Sequence, residues 1–165
     1  MEPSGFALFW AWLTALIAAL SFGPSFAHVL EALPRLNVWS PELWREATVF
    51  NGQFHLFLVI GAPLDMLAIA APAALAFVVR GNATAAWVAG LGAAFHALAL
   101  LLWFLLVFPA NQVLATWTLG PIPADFDAVR LRWETGHMAV ASAKLIGLAF
   151  ILFALILIGR GRQAG

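Results

Sequence analysis

The chain has 165 residues, of which 64% are hydrophobic and 10% are charged. A soluble domain has about 45–50% apolar and about 25% charged residues, so the composition indicates an integral membrane protein and excludes a soluble or disordered chain. Eight basic residues balance eight acidic ones and there is no cysteine, which excludes the charge pattern of a nucleic-acid binder, disulfides and iron–sulfur clusters.

Four stretches are long and apolar enough to cross a bilayer, which takes about 20 residues. In chain order they cover about residues 6–30, 54–79, 83–108 and 138–158. This series predicts an all-α fold. Residues 1–165 would form a single transmembrane domain, an antiparallel four-helix bundle with two long loops covering one membrane face.

The connections between the spans differ in length. Residues 80–82 (Arg-Gly-Asn) predict a tight turn between the second and third spans. The connections at about 31–53 and 109–133 are long and rich in Pro and Trp, as is typical of segments that cover a site at the membrane surface. In the first of them, Ser40 and Pro41 predict the N-cap and first turn of a short helix.

The arginines favour one orientation only weakly. Arg80, Arg160 and Arg162 lie at span ends on the tight-turn face, whereas four arginines lie on the long-loop face. Basic residues next to span ends weigh most in membrane topology. We therefore expect both termini in the cytoplasm.

Polar side chains cluster where the spans reach the long-loop face. His28 and Glu31 end the first span, and Glu134 and His137 open the fourth. Each pair is three residues apart and therefore shares a helical face. Further polar residues expected at this level are Gln53, His55, Asn111 and Gln112.

Three interpretations of this cluster are open. Glu-x-x-His pairs on facing helices are typical of carboxylate-bridged metal sites, so the cluster could hold a transition metal. Two of its histidines could instead hold a haem. In the third interpretation the residues form a polar rim, with the glutamates paired to Arg35, Arg130 or Arg132. The candidate metal ligands are His28, Glu31, His55, Glu134 and His137.

A second polar group lies deeper in the membrane. Asp65, His96 and Lys144 come from three spans, and each is about 20 Å from the tight-turn face at 1.5 Å per residue. Ser21 lies at a comparable depth. An unpaired charge there is costly, so we expect either a structural Asp65–Lys144 ion pair bridged by His96 or a proton-transferring group.

Polar stripes on the first and fourth spans connect these two levels and predict an interior pocket. Small residues such as Gly61 and Gly92 would leave room for it, or would simply let the helices pack closely. Trp103 and Trp133 could line the pocket for a flat lipophilic ligand, or could anchor the helices at the membrane interface.

Residues 23–31 (GPSFAHVLE), 108–112 (FPANQ) and 133–137 (WETGH) resemble the anthrone-oxygenase-like family of small four-helix membrane proteins. The resemblance implies a bacterial inner (plasma) membrane and oxygenation of an anthrone to an anthraquinone without a metal or organic cofactor. It implies that His137 is the base that forms a carbanion or phenolate for O₂ to attack, and that Asn111 orients the substrate. The family often has an arginine where Val140 stands here, and Lys144 replaces it only in part.

The leading hypothesis is therefore an oxygenase-like membrane oxidoreductase that acts on a lipophilic aromatic or quinone-like molecule. His137 and His28 would exchange protons, oriented by Glu134 and Glu31. A metal- or haem-binding protein, and an accessory subunit of a larger membrane complex, are the alternatives. The cofactor is either none or a transition metal. Expected partners are the bilayer, a lipophilic ligand, and a second copy or a larger complex, but no nucleic acid. The candidate catalytic residues are His137, His28, Glu134, Glu31, Asn111, His96, Asp65 and Lys144.

Overall fold

The computed structural model describes residues 5–51 and 55–161, except for the side chains of residues 55, 56 and 58. Within this part the chain is almost entirely helical and has no strand, which confirms the predicted all-α class. Gln53 and Arg162 lie outside the described residues, as does the side chain of His55. The helices are α1 (Gly5–Asn37), α2 (Pro41–Arg45), α3 (His55–Val78), α4 (Ala83–Leu102), α5 (Phe108–Leu114) and α6 (Phe126–Gly161), with π-helical turns at Glu46–Phe50 and Trp103–Val107.

Four helical stretches are long and apolar enough to cross a membrane. They correspond to the four predicted spans, but three of them extend further than predicted, and the third reaches Leu114. Helix α1 continues to Asn37, and α6 begins at Phe126. The predicted ends were placed where polar residues begin. The helices continue past those points because Arg35 and Glu134 are buried between them and do not face solvent.

Two predicted local features are confirmed. Ser40 caps α2 by accepting a hydrogen bond from the Leu43 backbone N–H at 3.2 Å. The tight turn after α3 is closed by the Asn82 backbone N–H, which donates to the Val79 carbonyl at 2.8 Å. The Asn82 side chain then caps α4 by accepting from the Ala85 N–H at 3.1 Å.

The predicted loop at 109–133 is wrong in its extent, because α5 and α6 leave only residues 115–125 between them. A π-helical turn leads into Pro109 near the start of α5. Proline has no N–H to donate four residues back, to the Leu105 carbonyl. Arg132 of α6 donates to that carbonyl at 3.1 Å. This side chain satisfies a backbone group at the point where proline interrupts the helix.

Helix α6 packs against both α1 and α4, and α3 packs against the same two helices. Small residues bring α4 and α6 close together. A Cβ added at Gly147 would lie 2.4 Å from His96 Nδ1, and one added at Gly92 would lie 2.6 Å from Ile151 Cγ1. The close-packing interpretation of small residues is therefore correct at Gly92. At Gly61, by contrast, an added Cβ would meet nothing within 4 Å.

We predict that Gly147→Ala lowers the free energy of unfolding by about 1–3 kcal/mol, because the new methyl group would overlap the His96 ring. Unfolding in mixed detergent micelles, followed by tryptophan fluorescence, measures the change. Gly90→Ala is the matched control, because its Cβ would meet nothing within 4 Å. A helix-interior Gly→Ala change without a clash stabilises by about 0.5–1 kcal/mol. Equal effects of the two substitutions would contradict the close α4–α6 contact.

Candidate functional site

A cavity of about 780 Å³ lies among the long helices. Residues from α1, α3, α4, α5 and α6 line it, together with residues from the two π-helical turns. Both tryptophans predicted to line a pocket, Trp103 and Trp133, are among its walls. The predicted interior pocket is therefore present, and its polar groups lie at two levels.

The deeper level is an ion pair between α3 and α6. Lys144 Nζ lies 2.6 Å from Asp65 Oδ1. Ser21 of α1 donates its hydroxyl to the same carboxylate oxygen at 2.7 Å, and its backbone carbonyl accepts from Lys144 Nζ at 3.2 Å. Asp65 and Lys144, two of the three residues predicted to share this depth, are thus in direct contact with each other and with Ser21, and these residues line the cavity.

His96 does not bridge this ion pair, contrary to the expectation from depth. Its Nδ1 lies 3.0 Å from the Gly92 carbonyl of its own helix, and the ring lies against Gly147 of α6. Its buried Nε2 has no hydrogen-bond partner among the described residues. Depth along a helix was predicted correctly, but the side of α4 that carries His96 faces the α6 backbone and not Asp65.

The second polar level contains two stacked imidazoles. The His28 and His137 rings lie with their centroids 4.2 Å apart and their planes at 20°. Trp133 packs edgewise on both of them, with centroid distances of 5.3 Å to His28 and 4.3 Å to His137. Both histidines line the cavity, and His137 makes no hydrogen bond to a described residue. Its ring nitrogens are therefore available to a ligand.

Asn111 lines the cavity and orients a wall of it. Its side-chain carbonyl accepts a hydrogen bond from Trp133 Nε1 at 2.8 Å. Its amide nitrogen makes no hydrogen bond to a described residue and can donate to a ligand oxygen. Gln112, predicted at the same level, is exposed and does not line the cavity.

Glu134 does not orient His137, although the two share a face of α6. Its Oε1 lies 2.6 Å from Arg35 Nε and 2.7 Å from Trp44 Nε1. Both members of this Arg–Glu pair have side chains that are 0% exposed. The polar-rim interpretation is therefore confirmed for Glu134. Glu31 lies 3.7 Å from Arg35 Nη1 and its side chain is 55% exposed, so it also pairs with Arg35, as the polar-rim interpretation expected.

Arg35 connects this ion pair to the cavity. Its Nη2 donates to the Thr48 hydroxyl at 2.6 Å, and Thr48 is a cavity wall. The guanidinium also lies within 4.9–5.6 Å of the ring centres of Trp39, Trp44 and Trp133, which is cation–π geometry. The sequence named Arg35 as a possible partner of the glutamates, which is confirmed, but did not predict its contacts with Thr48 and the tryptophans. The signal for those contacts was spacing, because Arg35 follows His28 by seven residues and so lies on the same face of α1.

Arg45 is a second buried arginine that the sequence analysis did not single out. It donates to the backbone carbonyls of Gly120 at 2.7 Å and Pro121 at 2.9 Å. These bonds attach α2 to the connection between α5 and α6. The other arginines proposed as glutamate partners bind elsewhere: Arg130 pairs with Asp127 at 3.0 Å, and Arg132 binds the Leu105 carbonyl.

The predicted metal ligands do not converge within the described part of the chain. No group of three or more His, Cys, Asp or Glu side chains there could hold a metal ion. His28 and His137 present their ring faces to each other, and Glu134 is bound by Arg35 and Trp44. The side chain of His55, the remaining candidate histidine, lies outside the described residues.

Comparisons of the chain with models of known protein families, with curated proteins and with solved structures find no match. The site must therefore be interpreted from its own chemistry.

We predict that Glu134→Gln lowers the free energy of unfolding by about 3–5 kcal/mol, because it leaves the Arg35 charge buried without its counter-ion. Asp127→Asn is the matched control. It removes the carboxylate of an Asp127 side chain that is 83% exposed, so the free energy of unfolding should change by less than about 1 kcal/mol. Unfolding in mixed micelles measures both. A loss at Glu134 no larger than at Asp127 would contradict a structural role for the buried pair.

Proposed function

We propose that the protein is an integral membrane enzyme that binds a flat, lipophilic aromatic molecule in its cavity and oxygenates it. In this proposal the helices cross a bacterial plasma membrane as an antiparallel bundle with both termini in the cytoplasm. The connections between α1 and α3 and between α5 and α6 would cover one face. The observation that carries the proposal is the cavity itself, with its stacked histidines and aromatic walls.

The size and walls of the cavity support the ligand class. Small-molecule sites have volumes of about 300–1,000 Å³ and mostly apolar walls with few polar groups. At about 780 Å³ this cavity lies within that range. Its aromatic walls suit an aromatic ring system better than a polar or flexible ligand. They include Phe57, Trp103, Phe104, Phe108 and Trp133.

The groups at the histidine level support the chemistry that the family resemblance implies. An anthrone carries an acidic ring CH₂ opposite a ring carbonyl. His137, which lines the cavity and has no hydrogen-bond partner among the described residues, can accept one proton from that CH₂. The Asn111 amide can donate a hydrogen bond to the substrate oxygen, on which negative charge then accumulates.

The remaining steps balance with O₂ as the only co-reactant. The carbanion is oxidised by O₂, which is reduced to a peroxide bound to the ring carbon, and the proton returns from His137 to the outer peroxide oxygen. Loss of water then breaks the O–O bond and converts the CH–OOH group into a carbonyl. One oxygen atom enters the anthraquinone and the other leaves as water.

We predict that the protein in lipid nanodiscs oxidises anthrone faster than its spontaneous oxidation, and that His137→Ala lowers this rate on the order of 100-fold through loss of the base. Oxygen uptake and anthraquinone absorbance measure the rate. Asn111→Ala should also lower it, whereas Gln112→Ala should not, because Gln112 is exposed outside the cavity. A wild-type rate equal to the protein-free rate, or an unimpaired His137→Ala variant, would overturn the proposal.

A further inference from the structure

The lysine of the ion pair is the only lysine in the chain. The eight basic residues are seven arginines and Lys144. An arginine stays protonated in proteins, whereas a lysine can lose its proton and then act as a nucleophile toward carbonyl compounds. The only side chain of this chain capable of amine chemistry therefore lies inside the membrane cavity.

The contacts of Lys144 include a group that can accept its proton. Its Nζ lies 2.6 Å from Asp65 Oδ1 and 3.2 Å from the Ser21 carbonyl. A carboxylate in direct contact can accept the ammonium proton in one step. The Ser21 hydroxyl donates to the same carboxylate oxygen at 2.7 Å and holds it in position.

Space is available beside this ion pair. Gly61 and Ala62, the small residues of α3 just before Asp65, line the cavity. Among the residues that the structure describes, a Cβ added at Gly61 would meet nothing within 4 Å. A ring system can therefore approach the amine beside Gly61.

We propose that Lys144 binds lipophilic aromatic aldehydes covalently, as an imine. Asp65 takes one proton from the ammonium group, the amine nitrogen forms a bond to the carbonyl carbon, and the π bond of the carbonyl group breaks. A proton moves from this nitrogen to the new alkoxide oxygen, which gives the carbinolamine. Asp65 then returns its proton to the hydroxyl group, the C–O bond breaks to release water, and the nitrogen lone pair forms the protonated imine. One aldehyde is consumed and one water is released, with no oxidant or reductant.

Charge conservation favours this reaction in a membrane. The ammonium–carboxylate pair becomes an iminium–carboxylate pair, so the apolar interior never has to hold an additional unpaired charge. Asp65 serves first as the base and then as the counter-ion. A lysine without this neighbour would have to release its proton into an apolar environment.

The reaction extends beyond the proposed oxygenation and is independent of it. It consumes no O₂ and makes no use of His137. It can therefore be tested under nitrogen, where the oxygenase reaction cannot proceed.

The test incubates the protein in nanodiscs with naphthaldehyde and cyanoborohydride under nitrogen, followed by intact-mass analysis and peptide mapping. We expect saturable addition of one naphthylmethyl group at Lys144, inhibited by naphthalenemethanol, which has the same rings but no carbonyl. A small hydrophilic aldehyde at the same concentration should label Lys144 little. Lys144→Arg should remove this adduct and leave only any reaction at the N-terminal amine.

Two further variants distinguish a reaction that depends on this site from the general reactivity of a lysine with aldehydes. Asp65→Asn keeps the shape but removes the proton acceptor, so the labelling rate should fall on the order of 100-fold. Gly61→Leu keeps the amine and fills the adjacent space, so labelling should also fall. Gly90→Leu is its matched control, because its Cβ likewise meets nothing within 4 Å and Gly90 does not line this cavity.

The results that would overturn the proposal are specific. They are absence of a Lys144 adduct in folded protein, labelling that does not saturate, and equal labelling in the two glycine variants. An unchanged rate in Asp65→Asn would likewise overturn it. Tryptophan fluorescence of each variant verifies that it is folded before the labelling is interpreted.

Discussion

The buried ion pair between Arg35 and Glu134 is the constraint on which the part of the bundle around the stacked histidines depends. Two fully buried charges are tolerated only when each has its partner and further hydrogen bonds. Trp44 and Thr48 supply those bonds from the segment between α1 and α3. The pair therefore fixes the register of α1 against α6 and also fixes the position of that segment at the cavity wall.

The same pair explains why the histidines stand as they do. The Glu134 carboxylate binds Arg35 and Trp44, so it does not orient His137 three residues later on α6. The imidazole is positioned instead by ring contacts with His28 and Trp133. Trp133 is in turn held by its hydrogen bond to Asn111. A charged network thus supports an aromatic one, and the aromatic one brings both histidines to the cavity wall.

The sequence predicted how far along its helix a polar residue lies better than it predicted which neighbouring helix that residue faces. Counting residues from the span ends placed Asp65 and Lys144 at one level, and they are in contact. The same count placed His96 there, but its ring lies against α6 because residue spacing does not give the rotation of α4. The i, i+3 pattern placed Glu134 and His137 on one face without revealing that Arg35 would take the carboxylate. The end of α1 and the start of α6 were predicted wrongly for a related reason. Polar residues that are buried between helices resemble loop residues in a hydropathy pattern.

The two ion pairs differ in whether a ligand in the cavity can reach them. Arg35 and Glu134 are wholly enclosed, and an arginine cannot give up its proton, so this pair can only hold elements together. Lys144 and Asp65 line the cavity, and the Asp65 side chain is 26% exposed, so a ligand in the cavity can reach this pair. The chain has arginine at its seven other basic positions and lysine at this position, which lines the cavity. The residue types thus agree with the proposal that the first pair is structural and the second can react.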